Sequence, residues 1–362
     1  MGGTATGTAA GPRVGVSEAR FAYPDPEWAL RHLSLVQDLV RPRRGPAFRR
    51  NRREGEWVLR FPRHPVDRME YLFELTHRDG GSELTCDPGN PLRAPGHFGE
   101  RSVIEFPGYR RPEWVDDEPD SGELELLTVP APVLGGAYTF PLWTSQGAHA
   151  GQPLPLLVAH DGPEYAAYSG LLRFLDAMIA LGELPPMRAA LLPPPGDRNQ
   201  RYSASAVYAR VLVHRILPAI DRVQPLAEGP HARVCMGASL GGLAALHAQR
   251  LYPSAFGALF VQSSSLFRRG LEEYESSFVR FGRIARFVDD MLAGRGAVRG
   301  IPVTMTCGTV EENLASNRAA ERALRSQGYD VRLHEFRDAH NWIAWRDTFE
   351  PHLLELLQRV WR

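Results

Sequence analysis

The stretch Ala232–Arg250, which reads ARVCMGASLGGLAALHAQR, decides the fold. Its apolar beginning, Ala232–Met236, has the composition of a buried strand, and the alanine- and leucine-rich run that opens at Gly241 has the composition of a helix. Between them stands Gly-Ala-Ser-Leu-Gly, in which the small residues Gly237 and Gly241 allow a strand and a helix to approach closely. The pattern therefore predicts a sharp strand-to-helix turn with Ser239 at its tip.

A serine at the tip of such a turn is typical of a nucleophile elbow. The turn holds the serine in a strained conformation with its Oγ exposed, and the backbone N–H of Leu240, at the helix start, can stabilise a developing oxyanion. The alternative is a glycine-rich turn with an incidental serine. The strand before the turn and the helix after it count against that alternative, so the stretch predicts Ser239 as a nucleophile.

A serine nucleophile needs a general base. The last strand-like run, Val331–Phe336, leads into RDAHNWIAW, and this places His340 just past the sheet edge at which the turn of Ser239 also opens. The chain order serine, acid, histidine is that of α/β-hydrolases. The chain contains 12 histidines, and a loop histidine can also cap the helix that follows it. We predict His340 as the general base.

The acid is expected in the loop after the strand-like run PVTMTC. This loop reads Gly-Thr-Val-Glu-Glu-Asn, with Glu311 three residues after Gly308 and Glu312 beside it. A carboxylate here would hold the imidazole in one tautomer and stabilise the imidazolium. Acids are also favoured at the helix N-terminus that begins here, so either glutamate could have only that role. We predict Glu311 ahead of Glu312, with Asp338 third.

The loop after the run LPLLVA reads His-Asp-Gly-Pro-Glu-Tyr and should supply the second oxyanion donor. Gly162 permits a close approach of the backbone, so the donor is expected among the N–H groups around Asp161 and Gly162. Asp161 and Tyr165 are candidate substrate contacts, although we favour a carboxylate of Asp161 that braces the loop. Arg198 could bind an anionic or catecholate group, or could equally brace a loop by hydrogen bonds to carbonyls.

The pattern of strands and helices predicts two domains. Residues 1–16 are rich in glycine, threonine and alanine without a hydrophobic pattern, and predict a disordered tail. Residues 17–115 alternate with the period of half-buried strands and predict a small β-sandwich. In residues 123–362 apolar strands alternate with helices, which predicts the mostly parallel sheet of an α/β-hydrolase fold. Residues 266–300 are expected to form a helical cap over the site.

The composition excludes several classes of partner. The 42 basic and 42 acidic residues balance, which argues against binding to nucleic acid. No apolar run is long enough for a membrane span. The N-terminus lacks the pattern of a signal peptide, and three cysteines without a paired spacing suit a reducing compartment. We expect a cytoplasmic protein that acts on a small-molecule ester and needs neither a metal nor an organic cofactor; the oligomeric state is left open.

The stretch RPRRGPAFRRNRR, at Arg41–Arg53, is strongly basic and lies within the predicted β-sandwich. It could steer an anionic substrate towards the site. RNA binding is a weaker alternative, because no nucleic-acid-binding motif accompanies it. We favour a third interpretation, a solvated loop between two strands.

Several motifs taken together resemble the enterochelin (ferric enterobactin) esterase family, within the esterase-D-like α/β-hydrolases. These motifs are GASLGG, the HDG loop, R-N-x-x-Y-S, VQSSS and AHNWIAWRD, and the resemblance covers nearly the whole chain. It implies an immunoglobulin-like β domain ahead of the hydrolase, and cytoplasmic hydrolysis of the ester bonds of an imported siderophore, a catecholate trilactone in the best-known members. Motif by motif, it implies Ser239 as nucleophile, His340 as base and Glu311 as acid.

Two positions depart from the pattern of that family. Where many relatives have an acid three residues after the motif arginine, this chain has Arg201, and the motif that usually reads Q-S-G-S is here Gln262–Ser265. Both lie near the pocket in relatives, so they bear on the substrate more than on the reaction. Two alternatives remain: a carboxylesterase of the feruloyl or acetyl type, and a hydrolase scaffold retained as a binding module.

Overall fold

The structure, a computed structural model, describes residues 11–117, 122–149, 151–272, 275–296 and 299–361. The chain divides into two compact units. The first contains the residues up to Arg110 together with Gly308–Glu311 and Arg337–Trp342, and the second contains the other residues. The division near residue 110 lies close to the predicted boundary, whereas the sequence did not predict that two segments from the C-terminal half join the first unit.

Eighteen strands are present in the described part of the chain. They are β1 (Arg13–Val14), β2 (Glu18–Pro24), β3 (Leu30–Gln37), β4 (Arg44–Ala47), β5 (Arg49–Asn51), β6 (Glu56–Pro62), β7 (Arg68–His77), β8 (Ser82–Thr85), β9 (Arg93–Ala94), β10 (Arg101–Glu105), β11 (Glu123–Ala131), β12 (Gly136–Thr144), β13 (Leu156–His160), β14 (Arg188–Leu192), β15 (Arg233–Ala238), β16 (Ala258–Gln262), β17 (Pro302–Gly308) and β18 (Asp330–Phe336).

The described part of the chain also contains ten α-helices. They are α1 (Gly162–Ser169), α2 (Leu171–Ala180), α3 (Arg198–Tyr202), α4 (Ala206–Val211), α5 (Leu217–Val223), α6 (Leu240–Leu251), α7 (Phe281–Leu292), α8 (Leu314–Ser326), α9 (Trp342–Arg346) and α10 (Leu354–Trp361). Among the residues that the structure describes, no helix combines the length and the apolar character needed to cross a membrane.

The first unit is a β-sandwich, as predicted. One sheet has four strands in the order β1-β2-β6-β5, and the other has six, in which β4-β3-β7-β10-β9 are neighbours and β8 pairs with β7. Buried residues alternate with more exposed ones along β6 and β7, because one face of each strand packs on the core. Aromatic rings meet across this core, where the ring centroids of Phe21 and Tyr71 are 4.9 Å apart.

The first strand lies inside the predicted disordered tail. Residues 1–10 of that tail lie outside the described residues. Arg13 and Val14 form β1, which pairs antiparallel with β2, and Val14 packs against the apolar core of the sandwich. The prediction was therefore wrong for Arg13 and Val14, because a single apolar side chain and a strand pairing are too small a signal to stand out in the sequence.

The arginines of the basic stretch Arg41–Arg53 are exposed to solvent, as the favoured interpretation expects, but the stretch is not a loop. It contains β4 and β5, which are edge strands of different sheets. Arg44 Nη1 lies 2.9 Å from Glu74 Oε1, and the guanidinium of Arg50 lies 4.8 Å from the ring centroid of Trp57. Charged side chains on edge strands discourage pairing with other chains. Arg44 and Arg50 therefore contact neighbouring side chains at the sheet edges.

The second unit is built on an eight-stranded sheet in the order β11-β12-β14-β13-β15-β16-β17-β18. Strands β14, β13, β15, β16 and β17 pair in parallel, whereas β11 and β12 are antiparallel at one edge. Every residue of β13, β14 and β16 is buried, as expected for parallel strands that are covered on both faces. The predicted α/β-hydrolase class is confirmed. The carboxyl ends of the parallel strands share one edge, where open α/β sheets bind ligands.

The predicted cap, residues 266–300, contains α7, whose apolar face belongs to the core of the second unit. Ile284, Val288 and Met291 are buried in that core. At the start of the helix the ring of Phe281 stacks on that of Phe267, with 5.9 Å between centroids. An amphipathic helix with its apolar side in the core is part of the helical layer. The role of residues 266–300 as a cap over the site stays a prediction, and residues 273–274 and 297–298 of this segment lie outside the described residues.

The last residues of the predicted β-sandwich, 111–115, belong to the second unit. Trp114 is buried, and its ring stacks on Phe349 with 6.2 Å between centroids. Arg173 donates a hydrogen bond to the carbonyl of Val115. Trp114 and Val115 anchor this stretch, but the charged residues around them gave no periodic apolar pattern from which this could be predicted. Residues 118–121 lie outside the described residues.

Candidate active site

Ser239 is the single residue between β15 and α6. Its backbone has φ 55° and ψ −122°, a conformation that side-chain-bearing residues rarely adopt and that costs about 1–3 kcal/mol. A Cβ atom added at Gly237 would lie 2.5 Å from the backbone carbon of Gly241, so only glycine allows the strand and the helix to meet this closely. The predicted strained turn, with glycines at both ends, is therefore present around Ser239.

Backbone strain is concentrated at the carboxyl edge of the sheet in the second unit. Five residues other than glycine have a positive φ in the part of the chain that the structure describes. Three of them, Asp161, Ser239 and Ser263, come directly after β13, β15 and β16. Strained residues persist where the surrounding structure fixes them, and they cluster at functional sites. This edge is accordingly the best candidate for the active site of the second unit.

Glu311 and His340 are brought together in the first unit. His340 Nδ1 lies 2.6 Å from Glu311 Oε2, and the other carboxylate oxygen accepts a hydrogen bond of 2.8 Å from the N–H of Gly308. The Glu311 side chain is 2% exposed and that of His340 is 39% exposed. With both oxygens engaged, the carboxylate can fix the tautomer of the imidazole, which is the role predicted for the acid.

The two other candidate acids lie elsewhere. Glu312 is exposed at the residue after Glu311. Asp338 is buried, and its Oδ2 accepts from Arg68 Nη1 at 3.1 Å while its Oδ1 accepts from the N–H of Ala339 at 2.7 Å. Burial raises the pKa of Asp338 to about 6, against the opposing effect of the Arg68 guanidinium. Both oxygens of the Asp338 carboxylate are thus occupied by hydrogen bonds, one from Arg68 and one from the N–H of Ala339.

The candidate oxyanion donors lie at the starts of two helices. Leu240 begins α6 and Gly162 begins α1, so both are at helix N-termini, where N–H groups have no partner within the helix. The N–H of Asp161 is directed to the hydroxyl of Tyr202 at 3.4 Å. A Cβ atom added at Gly241 would lie 3.1 Å from Asp161 Oδ2, so the loop of Asp161 runs beside the first turn of α6. Of the two N–H groups predicted in this loop, that of Asp161 has a partner in Tyr202, so Gly162 stays the candidate for the second donor.

Arg198 braces the loop of Asp161. Its Nε and Nη2 donate to the two carboxylate oxygens at 2.9 and 2.7 Å. A bidentate pair of this kind fixes orientation as well as charge. The Asp161 side chain is 4% exposed, whereas that of Arg198 is 34% exposed. The favoured interpretation of Asp161 as a loop brace agrees with this geometry, and the same pair places Arg198 in a bracing role.

Tyr165 is not placed where a substrate could contact it. Its side chain is fully buried, and its hydroxyl donates to Gln262 Oε1 at 2.5 Å. Gln262 in turn donates to the carbonyl of Trp345 at 3.0 Å and to Thr348 Oγ1 at 2.7 Å. The expected substrate contact by Tyr165 was therefore wrong, because this tyrosine is part of a buried network that fixes the end of β16.

Ser265 is a site residue to which the sequence reasoning gave no role. Its Oγ lies 3.1 Å from Ser239 Oγ, and its N–H donates to the carbonyl of Ser239 at 3.0 Å. Ser265 is buried. The family resemblance placed Gln262–Ser265 near the pocket without a role for any one serine, because the pattern of a strand end does not show which serine will lie beside Ser239.

The interior behind the loop of Asp161 is apolar enough to keep a histidine neutral. His160 is completely buried, with its ring centroid 5.1 Å from that of Tyr202 and its Nδ1 3.2 Å from the carbonyl of Met236. Burial lowers the pKa of His160 to about 4.

Within the described ranges, no group of three or more histidine, cysteine, aspartate or glutamate side chains is arranged to hold a metal ion.

Comparison with known proteins places the chain in a family. The sequence model of the putative esterase family matches residues 138–356, more than half of the chain. The chain belongs to this family. The matched residues include the strained turn of Ser239 and the segments that carry Glu311 and His340. The membership of an esterase family that the motifs indicated is thereby confirmed.

Relatives of this esterase include iron(III) enterobactin esterases. That of Dickeya dadantii is 25% identical over 278 residues, which cover 73% of this chain and 64% of the relative, so the matched part spans less than two thirds of that protein. That of Escherichia coli K12 is 22% identical over 210 residues, 56% of this chain and 50% of the relative. The resemblance to enterochelin esterases is confirmed at this level of similarity.

Solved structures agree in fold along nearly the whole esterase. The enterobactin esterase of Shigella flexneri, crystallised in the presence of enterobactin, has a TM-score of 0.77 at 19% identity, with 97% of this chain and 96% of that chain covered. A ferulic acid esterase from Anaeromyces mucronatus has a TM-score of 0.53 at 12% identity over 68% of this chain and 96% of its own. At these identities the similarity shows a shared fold.

Proposed function

We propose that this protein is a serine esterase that hydrolyses the ester bonds of a catecholate trilactone siderophore through an acyl-enzyme. The observation that carries the proposal is the pairing of the half-exposed imidazole of His340 with the buried carboxylate of Glu311. The strained backbone of Ser239 supports its role as the nucleophile. The substrate class is taken from the relatives, which are iron(III) enterobactin esterases.

In the proposed reaction the imidazole of His340 transfers one proton during acylation and one during deacylation. With its Nδ1 proton held by Glu311, Nε2 takes the proton of Ser239 as Oγ attacks the ester carbonyl. The N–H groups of Leu240 and Gly162 stabilise the oxyanion that forms. As the ester C–O bond breaks, the imidazolium gives its proton to the leaving alkoxide oxygen of the substrate, which departs as an alcohol. In the second half, His340 deprotonates a water molecule that attacks the acyl-enzyme, and it returns this proton to Ser239 Oγ as the bond between Oγ and the acyl carbon breaks.

Two further features support this proposal: one concerns the compartment, and the other favours an active enzyme over a catalytically silent scaffold. Three cysteines without a paired spacing suit the reducing cytoplasm, which is where we place the reaction. A protein that only binds has no need for a strained Ser239 or for a buried carboxylate held at both oxygens, and both cost stability. Labelling of Ser239 by a fluorophosphonate would support the catalytic function, and an unreactive Ser239 in folded protein would favour the binding module.

Product analysis by mass spectrometry tests the proposal. The purified protein is incubated with a catecholate trilactone, with and without bound ferric iron, and Ser239→Ala serves as the control. We expect linear catechol-acyl fragments from the wild type alone. Cleavage that persists in Ser239→Ala would contradict the mechanism.

The runner-up is an esterase of the feruloyl or acetyl type, whose fold the hydrolase part shares. A panel of feruloyl, acetyl and p-nitrophenyl esters, free of iron, separates the two substrate classes. Turnover of that panel without cleavage of the trilactone would keep the serine mechanism and replace the siderophore by a simple aryl or alkyl ester.

A further inference from the structure

The loop that carries His340 is part of the first unit, and one arginine of the β-sandwich holds it. Arg68 is the first residue of β7, and its side chain is only 3% exposed. Its Nη1 donates to Asp338 Oδ2 at 3.1 Å and to Asn341 Oδ1 at 2.9 Å. These two acceptors lie on either side of His340 in the chain. A single rigid guanidinium therefore anchors the loop before and after the histidine.

The anchors are themselves fixed. Arg68 Nη2 donates to Glu70 Oε1 at 3.0 Å, so both terminal nitrogens are engaged. Asp338 Oδ1 accepts from Asn341 Nδ2 at 3.1 Å, which closes the loop upon itself across His340. Ala339, next to the histidine, is buried in the apolar core of the sandwich. The backbone of His340 thus has little freedom to move.

The neighbouring residues of the sandwich contact both segments of the acid–base pair. Asp67 accepts from Arg337 Nε at 3.0 Å, and its N–H donates to the carbonyl of Arg337 at 2.8 Å. Thr309, two residues before Glu311, donates to the carbonyl of Pro65 at 3.0 Å. The turn from Pro65 to Arg68 therefore holds the segment of Glu311 as well as that of His340.

We propose that Arg68 is a positioning residue of this esterase, which orients His340 towards its catalytic geometry through Asp338 and Asn341. The proposal rests on the proposed role of His340 as the general base. It assigns a catalytic purpose to the β-sandwich, which supplies the support for the acid–base pair. A displacement of about 1 Å in a catalytic group can lower a rate about 100-fold, so the loss of such a support should reduce kcat.

The alternative is that Arg68 matters only for stability, because the loss of one partner from a buried ion pair leaves an uncompensated charge and destabilises the fold. Arg188 offers a matched control. It is also the first residue of a strand, β14, it is buried, and its Nη1 donates to the carbonyls of Gln152 and Pro225 at 3.2 and 2.8 Å. Arg188 lies at the amino end of its strand, away from the carboxyl edge of the sheet.

The test compares Arg68→Met with Arg188→Met in the full chain, at a temperature where circular dichroism shows both to be folded. On a p-nitrophenyl ester we expect Arg68→Met to lower kcat about 10- to 100-fold with KM changed less than about threefold, and Arg188→Met to retain kcat within about threefold. Equal kcat values in the two variants would overturn the proposal. Should Arg68→Met fail to fold, Arg68→Lys and Asn341→Ala take its place, each with a smaller expected loss of kcat.

A second readout separates this proposal from the proposed function. The Nδ1 proton of His340, held by Glu311, should give a downfield proton resonance in NMR spectra of the wild type. We expect Arg68→Met to broaden or shift this resonance and Arg188→Met to leave it in place, whether or not the tested ester is a substrate. An unchanged resonance in Arg68→Met would overturn the positioning role. Failure of Ser239 to react with a fluorophosphonate would instead contradict the esterase function.

Discussion

Glu311 holds the imidazole of His340 with one carboxylate oxygen and the backbone N–H of Gly308 with the other, at 2.6 and 2.8 Å. The backbone contact returns the side chain to the start of its own loop, so the carboxylate is rigid before any substrate arrives. Preorganisation of this kind is what allows a carboxylate to stabilise the imidazolium without rearrangement. The adjacent glutamate, Glu312, is exposed and does not share this position.

Replacement of the two neighbouring glutamates should have very different effects. Glu311→Gln retains the size of the side chain but removes the charge that stabilises the imidazolium. We expect kcat on an aryl ester to fall about 10²- to 10⁴-fold. Glu312→Gln is the matched control and should change kcat less than about threefold. Small and equal effects of the two substitutions would contradict the assignment of Glu311.

The Arg198–Asp161 pair predicts a loss in kcat rather than in KM. Arg198→Met removes both hydrogen bonds to the carboxylate and should loosen the loop that presents the N–H of Gly162. Removal of one oxyanion donor costs about 10²- to 10³-fold in kcat, and a loosened donor should cost part of that. Arg233→Met is the control, since Arg233 Nε also braces a carbonyl, that of Ala255, at the other end of the sheet.

The same experiment decides the second role considered for Arg198. If this arginine binds an anionic or catecholate group of the substrate, KM for a catecholate ester should rise while kcat for a neutral aryl ester stays constant. That outcome would contradict the bracing role, because a loosened oxyanion loop affects both substrates alike.

The approach of β15 and α6 predicts that Gly237 tolerates no side chain. A Cβ atom there would overlap the backbone of Gly241, which cannot move aside as a flexible side chain can. We expect Gly237→Ala to lower the free energy of unfolding in urea by about 1–3 kcal/mol and to reduce the labelling of Ser239 by a fluorophosphonate.

The control for this substitution is Gly282→Ala in α7. A Cβ atom at Gly282 meets no atom within 4 Å, and alanine is a better helix former than glycine. We therefore expect unchanged or slightly higher stability from Gly282→Ala. Equal stabilities of the two variants would show that the close approach of the strand and helix is not required.

His160 predicts a loss of stability in acid. Its pKa is lowered to about 4 by burial, whereas the unfolded chain titrates near the usual 6.5, so between these values the unfolded state binds more protons. The stabilising effect of the neutral ring is complete above about pH 6.5 and is lost as the pH falls towards 4. At pH 5 this one group should lower the free energy of unfolding by about 2 kcal/mol relative to pH 7.

The variant His160→Phe separates this effect from other acid-sensitive groups. Phenylalanine keeps an aromatic ring beside Tyr202 and Tyr208 but cannot take up a proton. It also lacks the hydrogen bond to the carbonyl of Met236, so lower stability at pH 7 is expected. In urea unfolding the difference in stability between pH 7 and pH 5 should be smaller in the variant, and an identical difference would contradict a titration of His160.

The sequence by itself determined those features that depend on a local pattern of residues. The alternation of apolar runs with helical segments predicted the parallel sheet, because strands buried on both faces must be continuously apolar. The turn of Ser239 was predictable because the close approach of strand and helix requires small residues, and the sequence has a glycine on each side of the serine within five positions. The position of the loop after β17 gave Glu311 as the first candidate acid, ahead of Glu312 and Asp338, but local pattern could not show which of these carboxylates contacts His340.

Only the tertiary structure decided which side chains are engaged and by which partners. The carboxylate of Glu311 is distinguished from Glu312 by a contact with His340, 29 positions away, and Arg68 reaches Asp338 across 270 positions. Tyr165 was predicted to contact the substrate because it follows the loop of Asp161, yet its hydroxyl donates a hydrogen bond to Gln262 in the interior. Hydrogen bonds of this kind depend on where distant elements pack, and sequence periodicity describes only the element in which it occurs.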